Sequence, residues 1–386
     1  MLKKIVLEKI YLLLTIIAIG GYSAMSMLYS EHESIYAVED PIVLKLSFGL
    51  LFILALSYLV INNRYISKNR IGNFLMYISC YLAISKVLSL SPTANMLSYF
   101  YQPMQVFLFV ILFALGQIIT SKPKEILEFF STGMFIALLI TTFLYYKNWS
   151  FNNETNQAHL GSSYYALFIF LPILFSKNRF IKYLSIAIVG AIIISSLKRG
   201  GLIAFILGLV AYLFVKNVLL EHKLNRLIWF ITIIFFLFIL LIYIDNAMGN
   251  IISTRLMNIS EDGGSGRDGV WATTWEMICR SDAEQLVFGH GYSTVVTDSP
   301  LRLSAHNDFL EILYDWGIAM FIPYVILHYL LIKQVFQLIK SRNTIAPIMS
   351  FVYVIFIILS LISIIILYPF MALISLIWGM STVHNI

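Results

Sequence analysis

Two guanidinium groups and one imidazole, far apart along the chain, carry the chemistry this sequence can offer: Arg199, Arg267 and His306. Arg199 follows Ser195-Ser196-Leu197-Lys198 and precedes Gly200-Gly201, a bend with no room for a long loop between two apolar runs. An arginine at such a boundary snorkels, pairs or binds an anion, and two adjacent glycines let backbone N–H groups approach a phosphate closely. Arg267 follows the flexible Gly263-Gly264-Ser265-Gly266 and opens a stretch with helical spacing, where N–H groups and the helix dipole favour an anion. Its fork suits phosphate because it donates two parallel hydrogen bonds; a solvated loop arginine is the plainer alternative. His306 stands just before an apolar run, beside Asn307 and Asp308. Imidazole is the side chain best suited to take a proton from a hydroxyl group near neutral pH, although a single loop histidine can equally be structural.

Other polar residues fall around these three. Asp308, Glu311 and Asp315 recur at i, i+3 and i+7, on one face of the helix expected after His306. At a rise of about 1.5 Å per residue, Asp315 lies roughly 10 Å beyond Asp308. Carboxylates at that depth are expected to face a wet cavity or a cation such as Arg199, Lys198 or Lys86, and Asp308 could orient an imidazole. Lys198, Asn307, Asp308, Glu311 and Asp315 are therefore candidate substrate contacts. Asn156 joins them, because with Gln157 and His159 it can hydrogen-bond sugar hydroxyls; a polar loop end is the simpler reading. His290, between Gly289 and Gly291, is a further contact and a second candidate base. One histidine with nearby carboxylates is a poor metal-ligand pattern, so neither metal nor cofactor is expected.

The elements that must position these residues are membrane helices. A chain of 386 residues that is 60% hydrophobic and only 12% charged, with mean hydropathy +0.85, is no ordinary soluble domain, where charged residues run near ~25%. Apolar runs of helical length fit, and the alternation of a membrane barrel does not. The expected fold is all-α, a polytopic membrane bundle forming a single domain over residues 1–386. Cys80 and Cys279 have no evident partners and read as small apolar fillers.

Spans are expected near Ile10–Leu28, Ile42–Ile61, Ile71–Leu90, Met96–Ile119, Ile126–Tyr145, Leu160–Phe175, Phe180–Leu197, Leu202–Val215, Leu227–Ile244, Phe309–Ile332, Ile345–Leu367 and Phe370–Val383, about twelve in all. The first resembles a signal peptide but lacks a small-residue cleavage site, so it reads as a retained span. The net charge of +6 points to topology and not to nucleic acid. With both termini in the cytoplasm, 17 Lys and Arg residues fall on inner segments and 7 on outer ones, as the positive-inside rule requires. That topology puts the long polar segment 245–308, which precedes the tenth span, outside. Within it, Arg267–Arg280 can form an amphipathic helix with Trp271, Trp275, Ile278 and Cys279 on one face, lying on the outer membrane surface or against the bundle mouth. Phe288-Gly289-His290-Gly291 then reads as a turn.

Ser196-Leu197-Lys198-Arg199-Gly200, Gly266-Arg267 with Trp271, Phe288-Gly289-His290-Gly291, Ala305-His306-Asn307-Asp308-Phe309-Leu310-Glu311 and Gly317-Ile318 follow one another in an order that resembles the O-antigen ligase and polymerase superfamily of bacterial envelope enzymes. The resemblance covers about Asn156 to Ile332. It departs at Lys198, where a small polar residue is commoner, and at His290, where many residues are tolerated. It implies a bundle of about a dozen helices in the bacterial inner membrane, with its active site on the outer face. It implies a glycan donor on undecaprenyl pyrophosphate, with the counterparts of Arg199 and Arg267 binding the pyrophosphate and the counterpart of His306 acting as base without a metal.

The residues suit that chemistry. Arginine forks stabilise a departing diphosphate, and a base activates the acceptor hydroxyl for direct displacement with inversion. The acceptor is either the next lipid-linked repeat unit, making the protein a polymerase of O-antigen, capsule or exopolysaccharide, or the lipid A core, making it a ligase; the polymerase is preferred. A chain-length regulator and a flippase are conceivable protein partners. A lipid-linked glycan transporter is the alternative of another class, though polar residues here gather at the outer surface and not at the bilayer midplane.

Overall fold

A computed structural model describes residues 2–29, 42–89, 96–147, 151–152, 157–158, 163–196, 198–225, 263–366 and 369–382, with residues 228, 232 and 246. The described chain is almost entirely helical. Long apolar helices come first: α1 (Leu2–Tyr29), α2 (Ile42–Ile61), α3 (Arg70–Leu88), α4 (Met96–Ser121) and α5 (Lys124–Lys147). A two-residue antiparallel pair, Phe151–Asn152 with Gln157–Ala158, leads to α6 (Tyr164–Phe170) and its tighter extension Leu171–Phe175. Next are α7 (Arg179–Ser195) and α8 (Arg199–Leu213), which a wider turn prolongs through Phe214–Leu220. Four short or polar helices follow, α9 (Gly263–Arg280), α10 (Ala283–Phe288), α11 (Thr294–Asp298) and α12 (Asp308–Asp315), and then α13 (Gly317–Lys340), α14 (Ala346–Ile362) and α15 (Pro369–Ser381).

Seven of the described helices, α1 to α5, α8 with its extension and α13, are long and apolar enough to cross a membrane; α6, α14 and α15 are shorter apolar helices. Large apolar side chains face outward along them, Leu46 at 67% exposure and Phe143 at 68% among them. Water would penalise such a surface and lipid does not. The protein is a multi-pass membrane protein. Of the expected spans, Leu227–Ile244 lies outside the described residues except at 228 and 232, and so does 245–262 except at 246.

The interior of the bundle is drawn together by close helix contact. A Cβ on Gly116 of α4 would strike the backbone of Leu376 in α15, and one on Gly379 would strike the backbone of Phe113. Small residues at such a crossing let two helices touch backbone to backbone, and Ser375 Oγ adds a hydrogen bond to the Phe109 carbonyl at 2.7 Å. At the end of the bundle away from His306, Lys122 pairs with Glu8 at 2.6 Å and donates to Asn62 Oδ1 at 2.8 Å.

Three expectations change in the segment between the spans. The polar stretch is folded: from α9 to α12 it forms a small helical cap with its own core of Ile278, Val295, Ala305 and Tyr314, packed by Met277, Leu286, Leu310 and Leu313. The buried stripe of α9 is Val270, Thr274 and Ile278, while Trp275 and Cys279 are exposed, so the Trp–Trp–Ile–Cys face does not exist as one surface. Cys80 is exposed as well, and neither cysteine is a core filler.

The span expected at Phe309–Ile332 is broken. Helix α12 stops at Asp315, and α13 restarts at Gly317, whose φ of 64° suits glycine and strains any other residue. The turn after α10 causes the break. His290 N–H donates to the Tyr314 carbonyl at 3.1 Å and Gly291 N–H to the Asp315 carbonyl at 2.8 Å, so the turn satisfies the C-terminal carbonyls of α12. Gly289 and Gly317 pack against each other there, with φ values of 81° and 64°. Gly317→Ala should therefore combine left-handed strain with a backbone clash and destabilise the protein by about 2 kcal/mol or more, read as a lowered midpoint of thermal unfolding in detergent.

Candidate functional site

His306 follows Ala305, whose two flanking peptides are both held. The Ala305 N–H donates to Glu311 Oε2 at 2.7 Å, and the Ala305 carbonyl accepts from Trp271 Nε1 at 2.8 Å. On the other side, Asn307 caps α12, its Oδ1 accepting from Phe309 N at 2.9 Å and Leu310 N at 3.2 Å, while its Nδ2 donates to the Leu361 carbonyl at 3.1 Å. His306 itself takes φ 49°, a left-handed conformation that a non-glycine residue holds only when its surroundings impose it. Among the described residues none hydrogen-bonds the imidazole. Burial pushes its pKa down from the ordinary histidine value, and the positive charges of Arg267 and Lys198 push it further the same way. The ring is thus held neutral and ready to accept a proton.

Those two cations come from different elements. Arg267 lies in α9 just after Gly266, whose φ of 77° interrupts the first turn, so the regular part of the helix begins at the arginine. Its charge acts on His306 and on the phenol of Tyr164. Lys198 caps the N-terminus of α8 and lies with Nζ 5.6 Å from the centre of the Tyr164 ring. Arg199, the first residue of α8, is half-buried beside it. Gly200 and Gly201 are not an open cradle: both are buried, a Cβ on Gly201 meeting Tyr164 Cε1 at 2.9 Å and one on Gly200 meeting Ile362. These glycines bring α8 against α6 and the end of α14. Tyr164, which shares a hydrogen bond with Ser363, is a neighbour that sequence reasoning missed; no local motif marks it among 23 tyrosines.

The carboxylates expected to face a cavity are fully buried and hold protein groups. Asp308 Oδ2 accepts from Tyr324 Oη at 2.7 Å, and its Oδ1 accepts from Ile365 N at 2.8 Å and Ile366 N at 3.3 Å. It braces α13 against the chain after α14 and has no oxygen directed at an imidazole; burial raises its pKa to about 6. Asp315 accepts from Ser293 N, Thr294 Oγ1 and Val295 N at 2.8–2.9 Å, closing the first turn of α11, and burial raises its pKa to about 7. Glu311 holds Ala305 as described. These three stabilise the cap and its junction with the bundle, which corrects the expectation of substrate contact. The physical reason is that Trp316 and Gly317 break the helix and turn α12 into the interior.

His290 is also structural. Its ring stacks on Tyr314 with centroids 3.9 Å apart, Nδ1 donates to the Tyr314 carbonyl at 3.1 Å, and Nε2 lies 3.4 Å from Ser281 Oγ. Both nitrogens are engaged, so it does not serve as a second base. Lys86, at the end of α3, donates to Gln105 Oε1 at 3.2 Å and lies 4.6 Å from the centre of the Tyr292 ring, which docks the cap on the bundle. Asn156 lies outside the described residues.

The elements around His306 thus bring together a neutral imidazole, the Arg267 and Lys198 charges and the N-terminus of a 15-residue helix, whose N–H groups and dipole also favour an anion. Residues 184–325 match the family model for O-antigen ligase, a segment that holds every residue named here except Lys86, Gln105, Asn156, Tyr164 and those from Leu361 to Ile366. A search of curated proteins gave no match.

Proposed function

We propose, from the match of residues 184–325 to the family model for O-antigen ligase, that this multi-pass protein is a glycosyltransferase of the bacterial inner membrane. On the outer face it moves a glycan from an undecaprenyl-pyrophosphate donor to an acceptor sugar hydroxyl. In this reading the chain crosses the membrane about twelve times, with both termini inside and the cap of α9 to α12 outside. The observation that carries the proposal is the single imidazole acted on by Arg267 and Lys198.

His306 removes the proton of the acceptor hydroxyl as its oxygen bonds to the anomeric carbon. The bond from that carbon to the diphosphate breaks, with inversion, and the diphosphate keeps the electron pair. Arg267, Lys198 and Arg199, with the N-terminus of α8, stabilise the charge that develops on it. No metal takes part, so transfer should be unaffected by a chelator.

Polymerisation of O-antigen, capsule or exopolysaccharide repeat units is the preferred outcome; the family's description favours ligation to lipid A core as the second reading. Purified protein in liposomes, given lipid-linked repeat units and lipid A core on the same side as the cap, should produce a ladder of polymer and free carrier diphosphate. Single transfer to lipid A core alone would establish the ligase. Translocation of the glycan without any new glycosidic bond would overturn the transferase.

A further inference from the structure

We propose that Glu311 is a positioning residue for His306, fixing through the Ala305 peptide the left-handed backbone that presents the imidazole. The inference rests on the reading of His306 as the base and adds the residue that keeps it in place. Glu311 is fully buried in α12 and touches no part of the surface a substrate could reach. Its Oε2 accepts the Ala305 N–H at 2.7 Å, one residue before the imidazole. Its Oε1 has no hydrogen-bond partner among the described residues, so no donor there favours the ionised form.

Burial and the neighbouring Asp315 charge raise the Glu311 pKa well above the usual carboxyl range. A neutral acid at this position holds the peptide without placing a negative charge beside the base. An ionised one would oppose the effect of Arg267 and Lys198 on the imidazole. Trp271 holds the next peptide, Ala305–His306, through the Ala305 carbonyl. The φ of 49° at His306 shows why two tethers are needed, since a free non-glycine residue relaxes to negative φ.

The test compares Glu311→Ala, Glu311→Gln, Trp271→Phe and His306→Ala in proteoliposomes, following glycan transfer across pH. Displacing a base by about 1 Å lowers turnover by up to ~100-fold, so Glu311→Ala should lose roughly ten- to a hundredfold in kcat with the donor KM unchanged. Its acid limb should also move up toward the ordinary histidine value as the imidazole relaxes into water. Glu311→Gln, whose amide oxygen still accepts from Ala305, should recover most of the turnover and keep the wild-type limb. A merely weakened fold would reduce the amount of active protein and leave the limb where it was. Should Glu311→Ala fail to insert, Trp271→Phe decides, because it loosens the adjoining Ala305–His306 peptide and should shift the limb likewise. An unshifted limb in the folded variants, or Glu311→Gln as poor as Glu311→Ala, overturns the inference. Wild-type transfer by His306→Ala instead overturns the functional reading beneath it.

Discussion

His306→Ala is expected to abolish measurable transfer, with kcat reduced by about a thousandfold, in the middle of the range over which positioned general bases act. The side chain makes no hydrogen bond to any described residue, so its removal leaves the cap and bundle intact. Insertion and donor binding should persist, and the loss should appear in kcat alone. The pH dependence carries a sign that can be checked in the wild-type protein. A base must be deprotonated to act, and burial together with Arg267 and Lys198 holds the His306 pKa below its ordinary 6.5. The midpoint of the acid limb should therefore lie below 6.5, with turnover declining about tenfold per unit beneath it as the imidazole takes up its proton. An acid limb at or above 6.5 would show that the cations do not act on the base during turnover. Full activity in the alanine variant would remove His306 from the reaction.

The sequence made some of this legible and concealed the rest for physical reasons. The long apolar helices were visible because lipid demands continuous apolar runs, and α2, α4 and α5 fall within a few residues of the expected spans. Arg199, Arg267 and His306 stand out in the sequence because charge and imidazole are rare in such a chain, with Lys198 beside them as a candidate contact. Periodicity placed Asp308, Glu311 and Asp315 on one face correctly, but it could not tell that the face turns inward. That depends on Gly317 and on a turn more than 20 residues earlier, whose N–H groups end α12 at Tyr314 and Asp315. The stripe on α9 failed for a related reason. Trp271 and Trp275 look alike in sequence, but one reaches the Ala305 carbonyl and the other is 55% exposed. Gly200 and Gly201 likewise read as a phosphate cradle, although packing against Tyr164 and Ile362 already accounts for them. A rare residue type announces itself locally, whereas a partner supplied by a distant segment does not.

Arg267 should be the second position where a single change nearly silences the protein, and there two functions of one side chain can be separated. In the proposed reaction its donor fork stabilises charge arriving on the diphosphate; loss of one such preorganised donor costs about a hundred- to a thousandfold in turnover, or roughly 3–4 kcal/mol of barrier. As a positive charge it also helps to hold the His306 pKa down. Arg267→Ala removes both, so kcat should fall by that amount and the acid limb should move up toward 6.5. Arg267→Lys keeps the charge but replaces the planar fork with a point ammonium. Its acid limb should remain near the wild-type position while turnover falls about tenfold, the cost of losing bidentate geometry on a phosphate. Lys198→Ala supplies the contrast: it removes charge without removing a fork, so it should shift the limb as Arg267→Ala does with a smaller loss of turnover. If Arg267→Lys moved the limb as far as Arg267→Ala, the arginine would be acting through the position of the cap and not through its charge. The proposal of a shared diphosphate site at α8, α9 and the His306 loop would then have lost its main support.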